Sequence, residues 1–288
     1  VNTDSRQLYR YLDIGTGKPS LGERSNVPHH LIDILNPDED FSLSLYLQLA
    51  QEALCQIHDR GRLPILVGGT GQYVWGLLEG WQVPQVKPDP SFRQALNDRA
   101  IDEGMESLYL ELLRVDPQRA SQVDPRNVQR VIRALEIHRS LGKAPLAAQT
   151  RASPSYDTLI LGLTMERGQL RSRVDARIED MIRSGWVEEV RYLLTQGYSP
   201  HLSSMSSLGY REICNYLMGN LSLEEAIQRT KNGTHRFVRR QYTWFRLQDP
   251  RINWIEAGSQ DDIPYILVRE FLNNPRTSRM TPSLSTST

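Results

Sequence analysis

A carboxylate, a hydroxyl and a guanidinium stand side by side near the start of the chain, in Asp4, Ser5 and Arg6. They follow a short lead, Val-Asn-Thr, that is typical of a strand end. A carboxylate at this place can act as a general base if the proton that it removes lies within about 3 Å. It can equally be a structural residue that caps the following turn by accepting a backbone N–H. The residues alone leave both interpretations open.

A glycine-rich turn is the second candidate. In VGGTGQY, the pair Gly68-Gly69 and then Thr70 directly follow the apolar run Pro64-Ile65-Leu66-Val67. We expect that run to be a strand buried on both faces of a parallel sheet. Open α/β sheets bind ligands where their strands end, and free backbone N–H groups in such a turn can hold an anion. Thr70 is therefore a candidate site residue, although an ordinary strand-to-helix turn also favours glycines.

An arginine at a predicted helix start is the third candidate. In LGYRE, a glycine and an aromatic residue precede Arg211. A guanidinium suits phosphate because its planar fork can donate two parallel hydrogen bonds. The alternative is a surface ion pair between Arg211 and Glu212.

Two segments predict basic helix faces. Residues 229–246 carry six Lys or Arg side chains, no acidic ones and interleaved aromatics, and Arg236, Arg239 and Arg240 fall on one helix face. Such a face resembles a surface for phosphate or nucleic acid, and a solvated helix flank is the alternative. In residues 126–139, Arg126, Arg130 and Arg133 are spaced to form a second basic face opposite an apolar one.

The order of elements predicts an α/β protein with a helical region. We expect a helix over 42–61, a strand at 64–67, a helix from residue 72 and a strand over 157–165, followed by long helices and an edge strand at 251–257. Between them, residues 88–152 have helical periodicity without a strand-like run. The predicted organisation is a catalytic core, a helical insertion, the remainder of the core with C-terminal helices, and a disordered Ser/Thr-rich tail, over 1–90, 91–153, 154–274 and 275–288 respectively.

Composition excludes several classes of protein. The 288 residues include 34 Lys and Arg and 34 Asp and Glu, so net charge does not indicate a polyanionic partner. The two cysteines, Cys55 and Cys214, are far apart, which argues against a zinc ribbon or a disulfide scaffold. No metal-ligand cluster, apolar run of membrane-spanning length or signal peptide is present. These features predict a cytosolic protein.

Six segments, in this order along the chain, resemble the motifs of the tRNA dimethylallyltransferase family: DSRQLYRYLDIGTGKPS, PHHLIDIL, RLPILVGGTGQY, NVQRVIRALEI, LGYREI and THRFVRRQYTWFR. The resemblance implies a P-loop-type parallel sheet core with a helical insertion domain. It implies transfer of a dimethylallyl group from dimethylallyl diphosphate to N6 of the adenine on the 3′ side of the anticodon, in tRNAs that read codons beginning with U. It further implies Mg²⁺ as cofactor and the tRNA anticodon stem-loop as partner. We expect the protein to be a monomer.

The resemblance also implies roles for individual residues. Asp4 would be the general base on the adenine amine, Thr70 an active-site residue, and Arg211 a ligand of the diphosphate. The implied contacts to tRNA, together with the basic face of residues 229–246, are Asp4, Ser5, Arg6, Gln7, Arg93, Gln129, Arg130, Val131, Ile132, Arg133, Arg236, Arg239 and Arg240.

One family motif is missing from this sequence. The family carries a strand, a phosphate loop of the form GxTxxGK[ST] and a helix ahead of the DSR segment, and no GxxxxGK[ST] occurs here. The segment Gly15-Thr16-Gly17-Lys18 looks similar to a phosphate loop, but it is followed by Pro19 and belongs to the family's DIGTxKP motif. The start at Val1 and the length of a strand–loop–helix unit lead us to expect that about 30 residues are missing. We therefore expect this chain to be poorly stable and inactive, and the complete protein to be active.

Two other functions stay open at this point. An adenylate isopentenyltransferase would use the same core on a free nucleotide, and two basic faces in separate segments argue for a macromolecular acceptor instead. A non-catalytic RNA-binding protein that lost the phosphate loop is the other alternative.

Overall fold

The computed structural model describes residues 1–142, 156–259 and 262–274. These residues form two compact units. The first contains residues 1–42, 46–78 and the described part of 154–288, and the second contains residues 43–45 and the described part of 79–153. The predicted disordered tail, 275–288, and the end of the predicted helical region, 143–152, lie outside the described residues.

Twelve helices and two strands occur in the described residues. In chain order the helices before the first strand are α1 (Leu21–Asn26), α2 (Leu43–Asp59), α3 (Gly71–Leu78), α4 (Pro90–Asp102), α5 (Met105–Val115), α6 (Pro117–Ala120) and α7 (Val128–Leu141). The rest of the chain forms β1 (Ile160–Thr164), α8 (Arg167–Arg183), α9 (Trp186–Thr195), α10 (Tyr210–Leu217), α11 (Leu223–Trp244), β2 (Ile252–Glu256) and α12 (Ile263–Asn273).

The sheet is small and parallel. Strand β1 pairs with β2 in parallel, with Ile160 opposite Ile252 and Gly162 opposite Trp254. A side chain on Gly162 would meet the Trp254 ring at 2.7 Å, so the glycine makes room for the aromatic residue. A parallel pair needs a long crossover connection, and helices α8 to α11 supply it here. Both strands were predicted from the sequence, with longer bounds, and both are confirmed.

The run Pro64–Val67 differs from its prediction. It was expected to be a strand buried on both faces, but its only strand-type pairing in the described structure is a parallel bridge between Val67 and Asn2. Ile65 is 63% exposed and Val67 is 65% exposed. Residues 1–3 pair with one edge of the run, and Pro64 and Leu66 are half-buried while Ile65 and Val67 remain exposed. The prediction of a buried strand is therefore wrong for this structure, because the apolar run lacks neighbours.

The second unit is helical and has its own core. Leu96 on α4, Leu108 and Leu112 on α5, and Val131 and Ile132 on α7 are all at most 3% exposed and form one cluster. The Leu108–Leu112 spacing places both side chains on one helix face. Asp89 begins α4 by accepting the N–H of Phe92, and Asn127 begins α7 in the same way. The helical prediction for this region is confirmed as far as residue 142.

Candidate active site

The backbone of Asp4 is held by the side chain of Asn2. The Asp4 N–H donates to Asn2 Oδ1 at 2.9 Å, and Asn2 Nδ2 donates to the carbonyls of Asp4 and Leu31, each at 2.9 Å. Asn2 is only 6% exposed. A buried amide whose groups are all paired gives its neighbour a defined position. Asp4 therefore projects its carboxylate from a rigid part of the chain.

The Asp4 carboxylate has one structural contact and one open oxygen. Oδ1 accepts the N–H of Arg6 at 2.7 Å, which is an Asx-type turn. Within the described residues, Oδ2 has no hydrogen-bond partner, and the side chain is half-buried. Both interpretations of this residue thus have support, since Asp4 fixes the turn with one oxygen and leaves the other available to a substrate.

Thr70 joins the glycine-rich turn to the Asp4 segment. Its Oγ1 accepts the N–H of Ser5 at 3.0 Å and donates to Ser5 Oγ at 3.4 Å, and its own N–H donates to the carbonyl of Thr3 at 3.2 Å. Gly68 has a φ of 148°, and a Cβ there would lie 2.5 Å from the backbone carbon of Thr3. Only glycine permits this approach, so the turn and the first residues of the chain form one cluster.

The end of helix α11 closes the same cluster. Gln241 Nε2 donates to the carbonyl of Gly69 at 3.3 Å, and the Trp75 indole N–H donates to the carbonyl of Trp244 at 2.9 Å. A Cβ on Gly71 would lie 2.3 Å from the Trp244 ring, so that glycine is needed for the contact. The sequence reasoning used the arginines of this helix and missed Gln241, whose position at the end of the basic run was the available signal.

Arg6 and Gln7, both predicted to contact RNA, are tied to neighbouring loops. Arg6 Nη1 donates to the carbonyl of Ser203 at 2.8 Å. Gln7 Nε2 donates to the carbonyls of Thr16 and Gly17, each at 3.2 Å. These two side chains are thus hydrogen-bonded to backbone carbonyls within the fold, and their contact with RNA stays a prediction.

Arg211 makes the surface ion pair considered from the sequence. Its Nη2 lies 2.6 Å from Glu212 Oε1, while Glu212 Oε2 accepts the N–H of Gly209 at 2.8 Å. The Glu212 side chain is 7% exposed and that of Arg211 is 59% exposed. A buried carboxylate therefore anchors a guanidinium that remains open to solvent and to a ligand.

The arginines of α11 lie on its exposed side. Arg236, Arg239 and Arg240 are all exposed. Two other basic side chains of this helix pack toward α8, where Lys231 pairs with Glu179 at 2.6 Å and His235 with Asp175 at 2.8 Å. The predicted basic face is therefore present, and the adjoining Lys231 and His235 side chains are engaged by carboxylates of α8.

The GTGK segment is a structural turn. The Lys18 ammonium donates to the Tyr9 carbonyl at 2.8 Å and pairs with Asp13 and Asp33, and its side chain is 1% exposed. The backbone N–H groups of Asp13 and Ile14 already donate to a protein carboxylate, that of Glu189, at 2.9 and 2.7 Å. Donors that are used within the fold are not free for phosphate, which agrees with the interpretation made from the sequence.

A buried carboxylate organises the arginines of the second unit. Glu136 is 2% exposed and accepts hydrogen bonds from Arg93 Nε and Nη2, from Arg133 Nη1 and from the N–H of Asp89. Burial by itself would raise the pKa of Glu136, but these donors outweigh it and lower the pKa to about 2. Arg93 and Arg133 thus face an internal anion, and their contact with RNA stays a prediction.

Glu136 was missed by the sequence reasoning. The signal available was a single acidic residue between the apolar Leu135 and Ile137, three positions after Arg133. An isolated carboxylate on an apolar helix face requires a buried partner. Without tertiary structure, however, the second partner Arg93 cannot be identified.

The basic face predicted over residues 126–139 is corrected in part. Arg126 precedes the N-cap Asn127, lies outside α7 and pairs with Asp124 at 3.0 Å. The side chains of Val131 and Ile132 are 1% exposed and belong to the core. Those of Gln129 and Arg130 are on the surface. The RNA-contacting prediction for 129–133 therefore concerns mainly its first two side chains.

The candidate site does not contain a complete metal site. In the part of the chain that the structure describes, no group of three His, Cys, Asp or Glu side chains is arranged to hold an ion. Around Thr70 the oxygen ligands available to an ion are the Asp4 carboxylate and the hydroxyls of Thr70 and Ser5. Mg²⁺ requires an octahedral set of oxygen ligands and commonly takes most of them from water and phosphate. An ion at this site would therefore take most of its oxygen ligands from water and from the substrate.

Residues 7–248 match the family model described as IPP transferase. The chain belongs to the IPP transferase family. A tRNA dimethylallyltransferase of Dehalococcoides mccartyi is 46% identical to this IPP transferase over 273 residues, which cover 94% of this chain and 84% of the relative. The family resemblance inferred from the motifs is confirmed. Thr70, Arg211 and Glu136 lie inside the matched range, and Asp4 lies just before its start.

Solved structures agree with this assignment. The crystal structure of a tRNA isopentenylpyrophosphate transferase from Bacillus halodurans is 37% identical with a TM-score of 0.66, covering 94% of this chain and 86% of that chain. A eukaryotic dimethylallyltransferase, solved acting on tRNA, is 26% identical with a TM-score of 0.78 and coverages of 94% and 72%. The predicted fold class of the IPP transferase, an α/β core of P-loop type with a helical insertion, is confirmed.

In the described residues of this IPP transferase, no helix combines the length and apolar character that crossing a membrane requires.

Proposed function

We propose that this IPP transferase is a tRNA dimethylallyltransferase. It moves a dimethylallyl group from dimethylallyl diphosphate to N6 of the adenine on the 3′ side of the anticodon, in tRNAs that read codons beginning with U. The observation that carries the proposal is the cluster in which Asp4 presents an open carboxylate oxygen beside Thr70, in a chain 46% identical to a tRNA dimethylallyltransferase. The protein acts as a cytoplasmic monomer.

The chemistry needs a base and stabilisation of a leaving group. The adenine amine attacks the first carbon of the dimethylallyl group, the bond from that carbon to the diphosphate oxygen breaks, and the amine loses a proton. Asp4 Oδ2 orients the amine and accepts that proton. Negative charge that develops on the diphosphate is stabilised by Arg211, whose guanidinium Glu212 holds in place. Mg²⁺, when bound, would add stabilisation of the charge on the leaving diphosphate, and the Asp4 carboxylate and the Ser5 and Thr70 hydroxyls are the side chains of this site that could help to hold it.

The RNA partner is the anticodon stem-loop, which binds to residues 91–153 and to the basic face of α11. Arg93, Gln129 and Arg130 contribute from the first of these regions, and Arg236, Arg239 and Arg240 from the second. A single-stranded loop allows the target adenine to leave its stack at lower cost than a duplex would.

A transfer assay tests the proposal. The protein is assayed as a fusion that carries a GxTxxGK[ST] strand–loop–helix unit ahead of Val1, because the chain without a phosphate loop is expected to be inactive. Labelled dimethylallyl diphosphate is offered with an unmodified anticodon stem-loop RNA or with AMP, and the modified base is identified by mass spectrometry. We expect label on the adenine 3′ to the anticodon and none on AMP. Label on AMP alone would make the protein an adenylate isopentenyltransferase, and RNA binding without transfer would make it a non-catalytic RNA-binding protein.

The same assay tests whether a phosphate loop is required. Residues 1–288 are compared with a fusion that carries a GxTxxGK[ST] strand–loop–helix unit ahead of Val1. We expect faster turnover and a higher unfolding midpoint for the fusion, because the unit supplies phosphate donors and covers Ile65 and Val67. Equal turnover by the two proteins would contradict that expectation.

A further inference from the structure

A basic pocket lies between helices α10 and α11 and has a volume of about 300 Å³. Arg211 and Asn215 line it from α10, and Arg229, Asn232 and Arg236 line it from α11. The residues implied for diphosphate and for RNA, Arg211 and Arg236, thus share one pocket with Arg229, for which no role follows from the motifs.

Helix geometry explains why these side chains converge. Arg229, Asn232 and Arg236 stand at i, i+3 and i+7 and share one face of α11. The segment just before α10 approaches α11 closely at Gly233, where a Cβ would lie 2.7 Å from Leu208 Cδ2. The loop that leads into α10 therefore packs directly on the glycine, one turn of helix from Arg236 and Arg229.

The pocket carries excess positive charge. Arg211 is paired with Glu212, whose carboxylate is already engaged with the Gly209 N–H. Arg229 and Arg236 are both exposed, and neither makes an ion pair with any residue that the structure describes. Like charges brought to one pocket repel each other unless an anion lies between them.

We propose that Arg229 and Arg236, with Asn232 and the Glu212-held Arg211, bind a phosphate group in this pocket. Guanidinium forks and an amide N–H are the donors that tetrahedral phosphate oxygens accept. The phosphate comes either from a diphosphate or from the backbone of RNA, and both present the same oxygen chemistry. The inference rests on the proposed function only in that these two sources of phosphate, a diphosphate and an RNA backbone, are the ones considered.

Binding measurements on the full chain test the proposal without turnover. Arg229→Gln and Arg236→Gln are compared with the parent protein and with Arg191→Gln, which removes an exposed arginine of α9 that does not line the pocket. The probes are inorganic diphosphate, by calorimetry, and an anticodon stem-loop RNA, titrated at several salt concentrations. Unfolding midpoints are measured for every variant, and Arg229→Lys separates the loss of charge from the loss of the guanidinium fork.

We expect each pocket variant to bind one of the two probes with about tenfold lower affinity, because a charge-assisted hydrogen bond is lost. Arg191→Gln should change neither. Weaker diphosphate binding identifies a diphosphate as the source. Weaker RNA binding, with a salt slope reduced by about 0.7 to 0.9, identifies an RNA phosphate.

The proposal is overturned if both probes bind the two pocket variants within twofold of the Arg191→Gln protein, or if neither probe binds the parent. Failure of the proposed function gives a different result, namely no label on RNA in the transfer assay while the parent still binds phosphate through this pocket.

Discussion

Thr70 Oγ1 accepts the backbone N–H of Ser5 at 3.0 Å, across 65 positions of sequence. One hydroxyl thereby joins the glycine-rich turn to the segment that carries the Asp4 carboxylate. The distance between turn and carboxylate is therefore set by a hydrogen bond as well as by the backbone contact of Gly68 with Thr3. This relationship explains how two short motifs, each weak by itself, form one site.

Thr70→Val should lower transfer activity more than stability. The isosteric valine leaves the half-buried Ser5 N–H without its acceptor, which costs about 1–2 kcal/mol, and it loosens the position of Asp4. Urea unfolding and transfer rates provide the measurement. Thr195→Val is the control, because the Thr195 hydroxyl only donates to the carbonyl of Tyr192 in its own exposed helix. Equal rates for the two variants would count against a positioning role for Thr70.

Asp4→Asn should abolish base catalysis while preserving the fold. The amide oxygen can still accept the Arg6 N–H, but an amide cannot take the proton from adenine. A reduction in turnover of about 10²- to 10⁴-fold is expected, with RNA binding and unfolding midpoint unchanged. Turnover within threefold of the parent would show that Asp4 serves only the turn.

Gly209→Ala should destabilise the protein strongly. Gly209 has a φ of 87°, and a Cβ there would lie 1.9 Å from the buried Trp186 ring. Left-handed backbone and overpacking together cost about 3 kcal/mol or more. Gly197 is the matched control, since its φ is also 87° and no atom lies within 4 Å of an added Cβ.

Gly197→Ala should therefore cost only the backbone term, about 1–2 kcal/mol. The two unfolding midpoints in urea separate strain from steric overlap. Similar midpoints would mean that Trp186 moves aside freely.

Glu136→Gln should destabilise the protein by about 3 kcal/mol at neutral pH, because it leaves Arg93 and Arg133 without their buried anion. Arg126→Gln breaks an exposed pair and should cost at most about 0.5 kcal/mol. Chemical unfolding of the two variants beside the parent gives both values. A loss below 1 kcal/mol for Glu136→Gln would contradict the buried network.

The Glu136 network should also depend on pH. The pKa of Glu136 falls from an ordinary 4.5 to about 2 in the folded protein. A lowered folded pKa means that the contribution of Glu136 is complete above pH 4.5 and is lost as the pH falls toward 2. The stability difference between parent and Glu136→Gln should shrink over that range, and a constant difference would argue against the assigned pairing.

Lys18→Met should reduce stability by about 1–3 kcal/mol, because Asp13 and Asp33 lose hydrogen bonds from an ammonium that is 1% exposed, while Arg24 still pairs with Asp33. The exposed Lys87→Met is the control and should have little effect. Thermal unfolding and diphosphate binding are measured together. Lost diphosphate binding with an unchanged unfolding midpoint would make the GTGK segment a phosphate loop after all.

Local periodicity determined much of this protein from sequence alone. Helices α2, α5 and α7 bury one apolar face each, and strands β1 and β2 follow apolar runs, so their existence could be inferred from neighbours along the chain. The motifs likewise identified the family, and with it Asp4, Thr70 and Arg211 as candidates. The boundaries of the helices and strands followed less closely from the sequence, because caps and flanking loops decide where an element ends.

Tertiary structure alone decided which charged side chains form ion pairs inside the fold and which remain available to a ligand. Sequence spacing places Glu136 near Arg133, but it does not reveal that Arg93 shares the same buried carboxylate or that Arg236 opens into a pocket. The exposure of Ile65 and Val67 was equally unpredictable, since burial of an apolar run depends on the elements beside it. Ion pairing and burial are set by residues distant in sequence, so the chemistry of each arginine was fixed only when helices and turns came together.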